Sequence, residues 1–212
     1  MKIFGWGRRG RASGIVSVFA LMALGVSACS SSTVGVAATV GGQKITIDQV
    51  QASVNSINVA RRAAALPPDP KAADLPRNQL RFLLLSALLK EAATTKGITI
   101  SQSDIDARRK AIVDQLGGEA KLPNALANAG IAQGDFALYL RDVAFEEKIG
   151  AAAAPGAPVG AAGDQQRGAA VQASVLEAGR KSKVSVNPRY GTWDATKANI
   201  IAVDTTGGAV KK

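Results

Sequence analysis

The chain has 212 residues, of which 47% are hydrophobic, enough for one modest domain but too few for two. Its formal charge is +10, and four basic residues with no acid among them precede Cys29, so the remainder carries +6. No basic run is interleaved with aromatic residues, which argues against nucleic-acid binding, and the mild positive charge suits a chain beside an anionic membrane surface.

Residues 1–28 have the three-part layout of a bacterial export signal. A cationic start is followed by an apolar run from Ile15 to Leu24, and small residues then lead to Cys29. The apolar run is too short for a stable transmembrane helix. We therefore predict a signal peptide, with the Sec and twin-arginine export routes both left open.

The residues around Cys29 are more specific than an ordinary cleavage site. Val26-Ser27-Ala28-Cys29 resembles the bacterial lipobox, which implies a diacylglyceryl thioether on the Cys29 sulfur and cleavage after Ala28. Two or more acyl chains, palmitate among them, anchor a protein stably, whereas a single chain does not. We expect a lipoprotein on the extracytoplasmic face of the cell membrane, with residues 29–35 as a tether. The alternative is a secretory signal that contains a cysteine by chance.

A strand, a tight turn and a helix are predicted directly after the tether. Val36 to Val40 is strand-like, and Gly41-Gly42 suits a tight turn. Thr46 and Gln49 form a capping box that opens a helix running to about Ala65. Its inward face is formed by Ile47, Val50, Val54 and Ile57. The proline-rich stretch from Leu66 to Pro76 cannot continue this helix and should cross the surface.

The segment Arg77 to Gly97 is predicted to be the central helix, because it has apolar residues on two faces. Arg81 and Lys90 bracket its apolar run well short of the length of a membrane span. One face contains Leu80, Leu83, Leu84, Ala87 and Leu88. The other contains Phe82, Leu85, Leu89 and Ala93. Such a helix needs packing partners on both sides.

Further helices follow the central one. Ser101 caps a helix with Ile105, Ile112, Val113 and Leu116 facing inward, and Gly117-Gly118 ends it. Later helices are predicted at about Leu122 to Ala129, at about Gln133 to Ile149, and from Asp164 to Arg180.

The C-terminal part contains a linker, a strand and a tail. The low-complexity stretch 151–163 is expected to be a linker or wide loop. Val184 and Val186 alternate with Ser185 as a short strand, and residues 195–212 are expected to form a disordered tail. Because two short strands lie at opposite ends of a helical body, we expect them to pair with each other.

This order of elements resembles the N-terminal chaperone domain of SurA/PrsA-type extracytoplasmic foldases. The resemblance lies in Ala38 to Thr46 (ATVGGQKIT), Leu83 to Asp106, Leu126 to Ile131 leading into Phe136 to Arg141, and Val184 to Asp194 (VSVNPRYGTWD). It implies a mainly α fold over residues 36–194, a SurA N-terminal-like helical domain with a small β pairing of its N- and C-terminal strands.

The same resemblance bears on catalysis. Such foldases usually insert a parvulin-type prolyl isomerase domain, which uses histidines, before the closing strand. This chain has no histidine, and the interval from Ala151 to Lys183 is too short for a domain. With one cysteine, the ordinary zinc, Ser-His and Cys-His sites are also excluded. Glu146 and Glu147 are interpreted as part of a solvated face. We therefore expect that the protein is not an enzyme and that it binds no cofactor.

The function implied is that of a chaperone binding unfolded or newly exported polypeptides without isomerase activity. Six apolar residues are candidates for contacting such clients in a groove: Phe82, Leu85, Leu89, Phe136, Tyr139 and Phe145. The alternative for each is an ordinary place in the core. The alternative function is an envelope scaffold or interaction lipoprotein that holds one specific protein partner.

Overall fold

The computed structural model describes residues 34–202. The predicted signal peptide at 1–28, Cys29 and the last ten residues of the chain lie outside this range. Within it the fold is mainly helical, with six α-helices and two small antiparallel sheets. None of these helices is long and apolar enough to cross a membrane. The predicted mainly α class is confirmed.

The first sheet joins the two ends of the domain. Strands β1 (Val36–Val40) and β2 (Gln43–Thr46) form a hairpin, and β3 (Ser185–Val186) pairs antiparallel with the other side of β1. Gly41 and Gly42 both have positive φ, 55° and 87°, which a two-residue turn of this kind requires. The Asn187 amide group adds a hydrogen bond of 3.1 Å to the Val36 carbonyl. The predicted pairing of the terminal strands is confirmed.

Helix α2 (Leu75–Thr95) lies at the centre of the main hydrophobic cluster. Leu80, Leu84 and Leu88 are completely buried on its first face. The helix begins two residues before the predicted start because Pro76 suits the first turn, where no N–H partner is needed. Helix α1 (Ile47–Ala63), capped by Thr46 and Gln49 as predicted, packs Val50, Val54 and Ile57 into the same cluster.

The next three helices form a smaller cluster. Helix α3 (Gln102–Leu116) is capped by Ser101, and α4 (Leu122–Ala129) and α5 (Phe136–Ala153) follow it. A short 3-10 turn, Gln133–Asp135, precedes α5, so that helix starts later than predicted. The buried members of the cluster are Leu122, Leu126, Phe136 and Leu140. The predicted inward residues of α3 pack against them but are only half-buried.

The predicted linker 151–163 is shorter than expected, because both of its ends are helical. Residues 151–153 complete α5, and residues 161–163 begin α6 (Ala161–Lys181), so only residues 154–160 connect the two. Alanine is the strongest helix former, so an alanine-rich stretch extends both helices. The connection folds back tightly, because a Cβ on Gly163 would lie 1.6 Å from the Pro158 carbonyl oxygen.

The domain also continues past residue 194, where we expected the tail to start. Strands β4 (Thr192–Asp194) and β5 (Asn199–Ile201) form a second hairpin, with Trp193 opposite Ile200. Ile200 and Ala198 are buried in the main cluster, which gives this segment an apolar anchor. The expectation of a disordered tail is therefore wrong for residues 195–202.

Candidate functional site

A groove of about 800 Å³ lies between α2, α5 and α6 and is bordered by the turn between β4 and β5. Its aliphatic lining comes from Leu85 and Leu89 on α2 and from Val171 and Val175 on α6. Leu89 and Val175 are nearly buried, while Leu85 and Val171 are half-buried and present methyl groups to the groove. No aromatic side chain of the described residues lines it. We call this the α2–α6 groove.

Two glycines shape the α2–α6 groove. Gly150 lets α5 and α6 approach closely, because a Cβ there would lie 3.1 Å from the Cβ of Arg167. Gly168 lines the groove itself, and a Cβ at that position would meet no atom within 4 Å. The helices therefore touch at Gly150 and leave open space beside Gly168.

Charged residues of both signs border the groove. Most are paired: Arg167 donates to Asp164 at 2.7 Å, and Arg108 of α3 donates to both carboxylate oxygens of Glu147. Two of the bordering residues, Arg81 and Glu146, have no ion-pair partner within residues 34–202. Partial burial raises the pKa of Glu146. Among the described residues, the rim thus presents one unpaired cation and one unpaired acid to a ligand.

Only part of the predicted contact set meets at this groove. Leu85 and Leu89 line it, whereas Phe82 is half-buried elsewhere on α2. Phe136 and Phe145 are buried in the smaller and the main cluster, which is the alternative that the sequence left open for them, and neither lines this groove. Tyr139 stacks on Phe136 with ring centroids 6.4 Å apart and packs against the smaller cluster. Large aromatic side chains were drawn into the core, where their burial stabilises most.

Sequence reasoning missed the contribution of α6 to the groove. The sequence predicted a helix from Asp164 to Arg180, but nothing in the sequence said that α5 and α2 would flank the face with Val171 and Val175. Glu146 was assigned to a solvated face, and the residue is exposed. It borders the groove because it follows the buried Phe145 and is carried to the edge of the α5–α6 contact.

A second, smaller pocket of about 190 Å³ lies between β2, α2 and α5. It contains Asp142, which is only 7% exposed. The Ser86 hydroxyl donates a hydrogen bond of 2.8 Å to Asp142 Oδ1. Burial raises the pKa of Asp142 to about 7, against the lowering effects of Ser86 and Arg141. We call this the β2 pocket.

The buried position of Asp142 could have been recognised in the sequence. It falls three residues before Phe145 and seven before Ile149, both of them buried on the inner face of α5. This spacing places an acid on an apolar helical face. Within residues 34–202, no group of three or more acidic, histidine or cysteine side chains is arranged to hold a metal ion.

Comparison with known proteins places the chain in a family. The model of a family described as the SurA-like N-terminal domain matches residues 10–149. No curated protein and no solved structure matches the chain significantly. The match runs from before β1 almost to the end of α5, so α6 and the C-terminal hairpin lie beyond it. Because it covers more than half of the chain, the protein belongs to the SurA-like N-terminal domain family.

Proposed function

We propose that this protein is a chaperone that binds unfolded or newly exported polypeptides in the α2–α6 groove, without isomerase activity. Its membership in a chaperone-related family supports the class of function. The observation that carries the proposal is the groove itself, with an aliphatic lining and charges of both signs along its rim. Such a surface suits an extended chain that offers apolar side chains and polar backbone groups together.

The composition of the groove indicates weak and sequence-tolerant binding. Burying one aliphatic side chain contributes about 1.5–3 kcal/mol, so a few of them give reversible binding without a nucleotide. Arg81 and Glu146 are free to bond backbone carbonyl and amide groups of the client. Since those contacts use the client backbone, they select for an extended chain and against any one sequence.

A matched pair of substitutions on α6 tests the groove. Gly168→Leu places a side chain into the open space of the groove, whereas Ala169→Leu adds the same side chain at an exposed position that does not line it. Leucine is about 0.8 kcal/mol better than glycine inside a helix, so the blocking variant should remain folded. We expect Gly168→Leu to lose most of the suppression of aggregation of a denatured client, and Ala169→Leu to keep it.

The same experiment can contradict the proposed function. If Gly168→Leu suppresses aggregation as well as the unaltered protein, the groove does not bind the client. If the unaltered protein fails to suppress aggregation and recovers a single stoichiometric partner from membranes, the scaffold function replaces the chaperone function.

We further propose that the protein acts from the extracytoplasmic membrane surface, anchored by lipid on Cys29. Support comes from the lipobox-like sequence and from the export signal before it. Cys29→Ala should abolish acyl labelling and either release the protein from the membrane or leave it held by an uncleaved signal peptide. Unchanged acyl labelling of that variant would refute the lipid assignment.

A further inference from the structure

The β2 pocket runs along an open sheet edge. Strand β2 is hydrogen-bonded to β1 on one side only, since the strand order is β2-β1-β3. Gln43, Lys44 and Ile45 are successive residues of β2, and all three line the pocket. Because successive side chains of a strand point to opposite faces, a pocket that reaches all three follows the edge of the strand.

The edge offers backbone hydrogen-bonding groups to a ligand. Val40 and Gln43 flank the two-residue turn and form the closing pair of the hairpin. In an antiparallel ladder the next residue, Lys44, then directs its N–H and C=O away from β1. Outside the strand ladders, no backbone hydrogen bond of the described residues reaches either group. Another extended chain can therefore pair with β2 at Lys44.

Three cations border the same pocket from three elements. They are Lys44 of β2, Lys90 of α2 and Arg141 of α5. None of them takes part in an ion pair within residues 34–202, although eight other pairs form there. Apolar side chains, among them Leu83 and Leu138, complete the lining. The pocket thus combines a positive rim with an apolar wall.

Asp142 is the only acid among the residues that line the β2 pocket. Its Oδ1 accepts the Ser86 hydrogen bond, while its Oδ2 accepts none from the described residues and is not sealed off from the pocket. The charged groups around it are Lys44 of β2, Lys90 of α2, and Arg141 and Glu146 of α5. When protonated, Oδ2 can donate to a bound carboxylate. When ionised, it repels one.

We propose that the β2 pocket binds a carboxylate of an extended polypeptide segment that pairs with the open edge of β2. The β2 pocket and the α2–α6 groove are different surfaces. The two proposed sites share only the class of ligand, a polypeptide. A bound carboxylate would lie among the unpaired cations and accept a hydrogen bond from protonated Asp142. The backbone of the segment would form hydrogen bonds with the N–H and C=O groups of Lys44.

A pair of capped peptides tests the proposal on the purified full protein. One alternates threonine and valine around a single glutamate, and the other has glutamine in its place. We expect the glutamate peptide to bind about fivefold more tightly, which is the size of effect expected from an exposed ion pair. Lys90→Gln should reduce that preference, because it removes one of the three cations that border the pocket. The matched control Lys71→Gln removes one charge from an exposed residue outside the pocket and should keep it.

The pH dependence separates a binding role of Asp142 from a structural one. The glutamate peptide keeps its charge between about pH 6 and about pH 8, so weakening over this range reports on the protein. Burial raises the pKa of Asp142 to about 7, and the chain contains no histidine. We expect about fivefold weaker binding at the higher pH. Asp142→Asn keeps the Ser86 acceptor and should bind tightly at both values.

Three results would overturn the proposal. The first is equal affinity for the two peptides. The second is an equal effect of Lys90→Gln and Lys71→Gln. The third is binding of anionic lipid vesicles that depends on Lys90 while the peptides are not distinguished, since the pocket would then be a membrane contact. Gly168→Leu should leave the glutamate preference unchanged, so failure of the groove and failure of the pocket remain distinguishable.

Discussion

In the main cluster α2 buries three leucines completely, whereas α3, which packs on the smaller cluster, has no buried residue. Its four predicted inward residues, Ile105, Ile112, Val113 and Leu116, are all half-buried. The apolar area removed from water determines most of the stability that a helix contributes. Helix α2 therefore belongs to the most stable part of the domain, and α3 to a part that depends on other interactions.

Those other interactions are ion pairs between α3 and α5 and the hydrogen bonds that cap the start of α3. Lys148 of α5 donates to Asp104 of α3 at 2.9 Å, and Arg108 of α3 donates to Glu147 of α5. The hydrogen bond from Lys148, followed by those from Ser101, lowers the pKa of Asp104 to about 2. Exposed pairs contribute little each and weaken with salt. The comparison indicates that α3 can open while the α2 core stays folded.

The largest expected effect comes from one substitution made in both regions. Leu84→Ala should lower the free energy of unfolding by about 3–5 kcal/mol, because it leaves a cavity at a completely buried site. Leu116→Ala deletes the same atoms from a half-buried site and should cost about 1 kcal/mol. Urea unfolding of both variants measures the difference. Equal losses would show that the two clusters are equally important for stability.

A somewhat smaller effect is expected from Asp142, which is buried beside α2. The pKa of Asp142 is raised from 3.8 to about 7, so between these values the folded chain holds a proton that the unfolded chain has released. Rising pH therefore favours unfolding until about pH 7. Asp142→Asn removes this penalty, and we expect it to be more stable than the unaltered protein by up to about 4 kcal/mol above that pH, since each pKa unit corresponds to about 1.4 kcal/mol.

Urea unfolding at several pH values checks this second prediction. Below about pH 4 both chains are neutral at this position, and the difference should vanish. Other acids, such as Asp104 with its lowered pKa, respond in the opposite direction, but they are common to both proteins and cancel in the difference. A stability difference that is constant with pH would mean that the pKa of Asp142 is the same in the folded and the unfolded chain.

The sequence predicted helices and caps well because their determinants are local. The Thr46 and Ser101 capping boxes were recognisable from four-residue patterns. The length of the linker was overestimated because alanine and proline give conflicting local signals, and its two ends extend α5 and α6. The groove depends on which faces of α2, α5 and α6 meet. That is a long-range property, which spacing along one helix does not specify.

The smallest predicted effect tests whether α3 opens separately. The Ser101 hydroxyl accepts from the Asp104 N–H, and the Asp104 carboxylate accepts from the Ser101 N–H at 3.0 Å. Ser101→Ala removes the first of these bonds and should cost about 1 kcal/mol, whereas Ser101→Thr keeps it. If α3 opens independently, amide hydrogen exchange should accelerate in α3 and stay unchanged in α2. Acceleration in both helices by the same factor would show that they unfold only together.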